Sequence, residues 1–380
     1  MLYAEWRTIE YSSSAIRARF LAYRPGDKEK LVSVMMTTAV DGRSVEYAPE
    51  IRDLLARPGK IFRLNAAMVG VSDFRLITAA VAARPVLPPE RSVFKPAAGA
   101  AIDHDTATRT IRALGQDVMA GMQAPPPAVR GLSGSWPLAA TSYVREWLFS
   151  SDPLPVSLLS KRGVTRFPVL SRIVDGAVTA WPAGSAERKA SSLAEQIRDA
   201  SGTQDKRQAI ALFRRASATL ADGVAALTAN ALWLMKSASP EKEPQADLKP
   251  VLWETLRLLP PAWLLLRNGG AEYTELHPSI RAEDKVALFP LLMHRDPEYW
   301  PAPLEFRPER WAGIEDPESV PAFMPFGFDG ARCWAKHLVV PLAERLLGLA
   351  LEHRLAVPVT RAARVPLRPL LSVRFRAELT

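Results

Sequence analysis

One cysteine stands in 380 residues, Cys333, inside a loop reading FMPFGFDGARCWA from Phe323 to Ala335. A chain with one thiol closes no internal disulfide, so its fold rests on buried apolar surface. The thiol itself is then a small core residue, a nucleophile or a metal ligand. An apolar wall of Phe323, Met324, Pro325 and Phe326 leads into Gly327 and Gly330, which permit backbone bends closed to other residues and allow close approach to something flat. Arg332 sets a positive charge beside the thiol. Downstream, Leu338, Leu342, Leu346 and Leu349 recur at helical spacing, so a thiolate at 333 would lie near a helix N-terminus, where backbone N–H groups favour negative charge. Pro341 removes one helical hydrogen bond and predicts a bend early in that helix.

Two further stretches carry pattern. VLWETLRLLPPAW, residues 251–263, sets Glu254 and Arg257 three apart on one helical face, where they can pair, and ends in the stop Pro260-Pro261. HRDPEYWPAPLEFRPERW runs from His294 to Trp311, ahead of the cysteine loop. These three stretches, in this order, resemble the cytochrome P-450 family. PFGFDGARC is similar to that family's cysteine loop, with Phe326 seven positions before Cys333, and Glu254-x-x-Arg257 resembles its Glu-x-x-Arg helix. The loop departs from the family pattern at Asp329, Ala331 and Ala335, with Gly330 and Arg332 one position late. The close resemblance covers roughly Asn230 to Arg354.

The resemblance implies a mainly α fold with small β-sheets, a single cytochrome P-450-like domain over residues 1–380. Its N-terminal sheet region would fall at about 1–70, a variable substrate roof at about 124–190 and a haem-binding core at about 206–354. It implies haem b with thiolate-ligated iron, Cys333 being the metal ligand. Phe326, Gly327, Arg332, Arg267, Ala226 and Leu227 would contact the cofactor, and Arg310 would join Glu254 and Arg257 in a structural ion triad. The implied activity is a monooxygenase acting on a small apolar substrate. The alternatives are an enzyme that uses peroxide or rearranges its substrate, and a degenerate member that binds haem or a partner without turnover.

Thr228-Ala229-Asn230-Ala231-Leu232 resembles the run that follows the family's acid and alcohol pair, and this places Ala226 and Leu227 where that pair belongs. Neither can ionise or relay a proton. Thr228, one residue late and about 100° round the helix, is the remaining catalytic candidate, with Asp222 one turn earlier. The Trp and Arg of the family's Trp-x-x-x-Arg helix, whose arginine bonds a haem propionate, would fall near Leu76 and Ala80. Arg75, Arg84 and Arg91 are therefore the substitutes to examine, and Arg267 is a second propionate candidate.

Net charge is +9. The basic residues are scattered, and neither zinc spacing nor an RNA-binding signature accompanies them, so nucleic acid is not the expected partner; the family resemblance implies an acidic ferredoxin or flavodoxin as electron donor. MLYAEWRTIEYSSS lacks a basic run followed by an apolar one, and no run of about 18 apolar residues occurs. The expectation is a cytoplasmic protein with no membrane partner, and a lone thiol suits a reducing compartment.

Along the chain, KLVSVMMTTAV alternates like a strand and EIRDLLARPGK reads as a short helix. Asp103 to Gln123 predicts a helix burying Ile111, Leu114 and Val118. Residues 124–190 read as short pieces, with Trp136, Tyr143, Trp147, Phe149 and Trp181 as candidate roof aromatics. Lys206 to Lys236 predicts one long helix, and WLLLRNGGAEYTELHPSIRAEDKVALFP reads as paired strands broken at Gly269-Gly270. His277, His294 and His353 show no metal-ligand spacing, and His337 reads as a helix residue beside the cofactor.

Overall fold

A computed structural model of the chain describes residues 35–41, 44–46, 60–82, 104–149, 158–159, 167–180, 195, 203–238, 247–267, 271–327, 332–358, 362–366 and 371–379. Its longer helices are α1 (Phe74–Ala82), α2 (His104–Gln123), α3 (Leu138–Phe149), α4 (Pro168–Thr179), α5 (Thr203–Ala238), α6 (Lys249–Leu258) and α7 (Lys336–Glu352). The strands are β1 (Met35–Asp41), β2 (Ser44–Glu46), β3 (Ile61–Asn65), β4 (Met68–Val71), β5 (Gly134–Trp136), β6 (Leu265–Arg267), β7 (Lys285–Leu288), β8 (Ala362–Pro366) and β9 (Phe375–Ala377). The fold is mainly helical with small sheets, as expected.

The long helix α5 is the axis. From Leu220 to Leu234 every side chain is buried except the half-buried Asp222 and Gly223, the pattern of a helix enclosed on all sides. It packs against α2, α3, α4, α6 and α7. By length and composition its segment Lys206–Ser237 could cross a bilayer, yet most of that segment lies inside the protein. Asn230 pins the middle of α5 to two separate chain segments. Its Nδ2 donates to the carbonyls of Leu259 and Leu371, both at 3.1 Å, and its Oδ1 accepts from the backbone N–H of Val373 at 2.9 Å.

Helix limits follow local chemistry. α6 and α4 each have a proline in their first turn, where a missing N–H costs nothing, and α6 stops just ahead of Pro260-Pro261. Pro341 sits inside α7 with its ring exposed. α2 buries Leu114 and Val118 and half-buries Ile111.

Among the described residues three sheets flank the helices. β2-β1-β8 is antiparallel, β5 pairs antiparallel with β9, and the four-stranded sheet runs β3-β4-β7-β6 with β4 and β7 parallel. The paired strands read from the sequence are β6 and β7, antiparallel through Leu265 to Leu288. Between them lies a single helical turn, Ala271–Thr274, which the alternating reading missed.

The 124–190 zone differs from its reading as short pieces, because it holds the full helices α3 and α4. Trp136, Tyr143, Trp147 and Phe149 are core residues of the helical layer rather than a roof. Trp136 stacks on Phe375, and Phe149 meets Phe213 edge-on. Trp181, Arg84, Arg91 and the short helix read at 50–60 lie outside the described residues, Lys60 excepted.

An ion pair between the exposed Arg63 of β3 and the buried Asp284 ties β3 to the entry of β7. Asp284 is fully buried and accepts both Arg63 Nη atoms, at 2.8 and 2.7 Å. The Arg63 guanidinium holds the Asp284 carboxyl below its ordinary value. A depressed native pKa means that the pair's stabilisation is complete above the unfolded value, about 3.9, and is lost as pH falls through the native one. The melting temperatures of the parent and of Asp284→Asn should therefore differ at pH 7 and converge in acid. A gap that does not change with pH would remove this role.

Candidate functional site

Glu254 and Arg257 lie one turn apart on α6, and both are fully buried. Glu254 Oε1 accepts from Arg257 Nη2 at 2.8 Å, Arg310 Nε at 3.1 Å and the backbone N–H of Arg307 at 2.9 Å. Its Oε2 accepts from Arg257 Nε at 3.0 Å and Trp311 Nε1 at 2.9 Å. Arg257 spends its remaining N–H groups on the carbonyls of His294 and Pro303 through Nη1 and of Glu305 through Nη2, at 2.7–3.0 Å. A buried carboxylate can persist only when paired and saturated with donors, and this one is. The segment 294–311 is thereby strapped onto α6. Trp311 and the Arg307 backbone were not read from the sequence; an indole next to Arg310 was the available signal.

The strap leads into the cysteine loop. Phe323 is packed by Trp311 at 4.7 Å, His294 at 5.2 Å, Trp300 at 6.0 Å and Trp253 at 6.1 Å between ring centroids. Phe326 lies 6.2 Å from Trp253, so Trp253 on α6 bridges both phenylalanines. Gly327 has φ 78°, a left-handed conformation that glycine adopts without Cβ strain and that turns the chain out into the loop. The chain returns at Cys333, whose N–H donates to the Phe326 carbonyl at 2.7 Å and closes the loop.

Cys333 is half-buried just before α7. Burial pushes its thiol up from the ordinary value, the backbone N–H of Ala335 acts the other way by hydrogen-bonding the sulfur, and the Glu318 carboxylate adds to the rise. The arrangement thus combines a soft donor, a backbone N–H directed at it and the positive end of a helix, all of which suit a thiolate once a cation compensates its burial.

The other candidates scatter. Arg332 is exposed beside Cys333, and His337 is exposed on the first turn of α7. Arg267 is half-buried at the end of β6, with Nη1 donating to the Leu266 carbonyl at 3.3 Å. Arg75 is exposed on α1, near enough to Glu298 to lower its pKa after the larger effect of Lys60. Leu76 and Ala80 stand on the same helix, which buries Ile77, Ala80 and Val81 in a small cluster with the four-stranded sheet. Ala226 and Leu227 are buried on α5. Thr228 is also buried, and its hydroxyl donates back to the Val224 carbonyl at 2.9 Å. Asp222 accepts from the Thr141 hydroxyl of α3 at 3.0 Å. Gly223 shares a helix face with Ala226 and Leu227, and a Cβ built on it would meet nothing within 4 Å, so open space lies beside this part of α5.

The cytochrome P450 family model matches residues 248–333, from the start of α6 to the cysteine itself. Over this stretch the chain resembles the cytochrome P450 family. It is 30% identical over 111 residues to a probable cytochrome P450 4d21 of Drosophila melanogaster, a match covering 29% of this chain and 22% of that protein. It is 32% identical over 142 residues to the cyclooctat-9-en-7-ol 5-monooxygenase of Streptomyces melanosporofaciens, covering 36% and 28%. The chain thus matches about a quarter of the length of these relatives. The fold extends further: cytochrome P450 CYP109Q5 from Chondromyces apiculatus superposes with a TM-score of 0.57 at 17% identity over 88% of this chain and 97% of that one. P450 proteins hold haem iron by a cysteine thiolate, and the residues here fit such a group. A lone half-buried thiol faces a helix N-terminus in a closed loop, and open space lies beside Gly223.

Proposed function

We propose that this chain is a haem-thiolate oxidoreductase of the monooxygenase kind, oxidising a small apolar molecule in the cytoplasm with electrons from an acidic ferredoxin or flavodoxin. The observation that carries the reading is Cys333, whose N–H closes its loop onto the Phe326 carbonyl just ahead of the α7 N-terminus. A P450 relative named as a monooxygenase supports the reaction class. Net charge +9 supports an acidic donor. Cys333 would ligate the iron, and Phe326, Gly327, Ala226 and Leu227 would help to hold the group. When bound, thiolate-ligated haem supplies dioxygen activation and substrate oxidation.

The chain's own part in proton delivery is weak. Ala226 and Leu227 carry no exchangeable proton, Thr228 directs its hydroxyl into the Val224 carbonyl, and Asp222 is engaged with Thr141 on α3. Electrons supplied by a surrogate ferredoxin should therefore emerge mainly as hydrogen peroxide, even with a tight-binding substrate. Ala226→Glu with Leu227→Thr should raise product per electron, since positioned acid catalysis contributes about 10²–10⁴-fold. Haem content is checked first, because both positions are buried. Efficient coupling in the parent would overturn the proton-route reading.

The test of the whole proposal is the spectrum of the reduced, haem-loaded protein under carbon monoxide. A Soret band at the thiolate position is expected, and its absence would remove the haem-thiolate assignment.

A further inference from the structure

Beyond the carbonyl that serves Arg257 of the ion triad, His294 makes a contact that neither the triad nor the cysteine explains. Its carbonyl accepts from Arg257 Nη1 at 3.0 Å, and its Nε2 accepts the backbone N–H of Met324 at 2.9 Å. Its ring is fully buried and lies 5.2 Å from Phe323. Accepting at Nε2 puts the imidazole proton on Nδ1. The carbonyls of Leu256 and Arg257 in the last turn of α6 act on the ring, and among the described residues Nδ1 has no partner in hydrogen-bond geometry. The negative end of α6 suits an Nδ1–H there. Burial and then the Arg257 charge depress the pKa to about 3, so the ring is neutral at any working pH.

Met324 belongs to the short run held between two left-handed residues, Ala322 at φ 58° and Gly327 at φ 78°. The run's exit is fixed by the bond from Cys333 N–H to the Phe326 carbonyl. Its entry is fixed by Phe323 in its aromatic cage and by His294 on the Met324 N–H. No other hydrogen bond ties the backbone of Phe323–Phe326 to α6 or to the 294–311 segment among the described residues. A one-sided hold would let the loop pivot about Gly327 and move the sulfur.

We propose that His294 is a positioning residue for the iron ligand: a neutral strut that transmits the fixed position of α6 to the cysteine loop through the Met324 N–H. The inference rests on the reading of Cys333 as the ligand. It makes His294 a part of the site that has no contact with cofactor or substrate.

The test compares haem-loaded parent, His294→Leu and His294→Gln. Leucine fills volume but cannot accept, whereas the glutamine amide oxygen can. In His294→Leu most of the carbon monoxide complex should move from the thiolate band to the thiol band, and exchange of the Met324 amide should accelerate about tenfold, the worth of one buried hydrogen bond. His294→Gln should restore both. A folded His294→Leu with the parent's band and Met324 protection would overturn the proposal. If the leucine variant does not hold haem, the glutamine variant decides: parent-like band and protection support the strut, and a folded glutamine variant that loses the thiolate band refutes it. A parent without any thiolate band would instead defeat the haem-thiolate reading, and Met324 exchange would still report whether the strut exists.

Discussion

Cys333→Ser should abolish the thiolate Soret band of the reduced carbon monoxide complex and reduce turnover by more than the roughly 10–100-fold typical of changes outside the ligand shell. Serine keeps the size of the side chain and the backbone N–H that closes the loop on Phe326, so fold and loop should survive. It loses the soft, ionisable donor. A serine hydroxyl has no accessible anion near neutrality, and a hard oxygen is a poor match for a site built around sulfur. The Ala335 N–H and the α7 N-terminus, which favour a thiolate, would then face a neutral group. Absorbance and haem content decide the matter: the parent spectrum in Cys333→Ser would mean that the iron is held elsewhere, and His337, exposed on the first turn of α7, would be examined next.

What could be read from the sequence divides along a physical line. α5, α6 and α7 were legible because each carries a strong period or a hard stop: Leu338, Leu342 and Leu346 on α7, Pro260-Pro261 after α6, and an apolar run too long for a strand on α5. Glu254 and Arg257 were legible because helix geometry alone puts residues three apart on one face. Arg310 came only from the resemblance, since 53 residues separate it from Arg257 and nothing local records the contact. The strut from His294 to Met324 and the cross-link at Asn230 were illegible for the same reason, each joining a side chain to a backbone group 29 to 143 residues away. The aromatic residues from Trp136 to Phe149 read as roof candidates or plain core, and the sequence could not separate the two because burial on the α5 side and burial over a ligand use the same residue types. The sequence also says that Thr228 has a hydroxyl, but not that the hydroxyl bonds back to Val224.

Glu254→Ala should be the most damaging single substitution for the fold, costing about 3–5 kcal/mol, because it strands buried positive charge rather than merely deleting a contact. Five donors converge on the carboxylate: two from Arg257 and one each from Arg307, Arg310 and Trp311. Arg257 is fully buried and keeps its bonds to three carbonyls, so it cannot swing into water to find another anion. Arg310 has a partly exposed side chain and can relax outward, which sets the cost below that of two stranded charges. Glu254→Gln discriminates charge from shape. An amide presents one acceptor oxygen and one donor NH₂, and every group around the site is a donor, so the variant keeps the volume yet places N–H against N–H. It should be destabilised too, though less than Glu254→Ala. Glu298→Ala provides the control, since that carboxylate pairs with Lys60 at the surface and its loss should leave the unfolding midpoint unchanged. Denaturant titration of the three variants, with haem content in parallel, makes the comparison. If Glu254→Ala stays soluble, keeps its haem and unfolds at the parent midpoint, the triad does not hold the 294–311 segment to α6, and the placement of the cysteine loop must come from its aromatic packing alone.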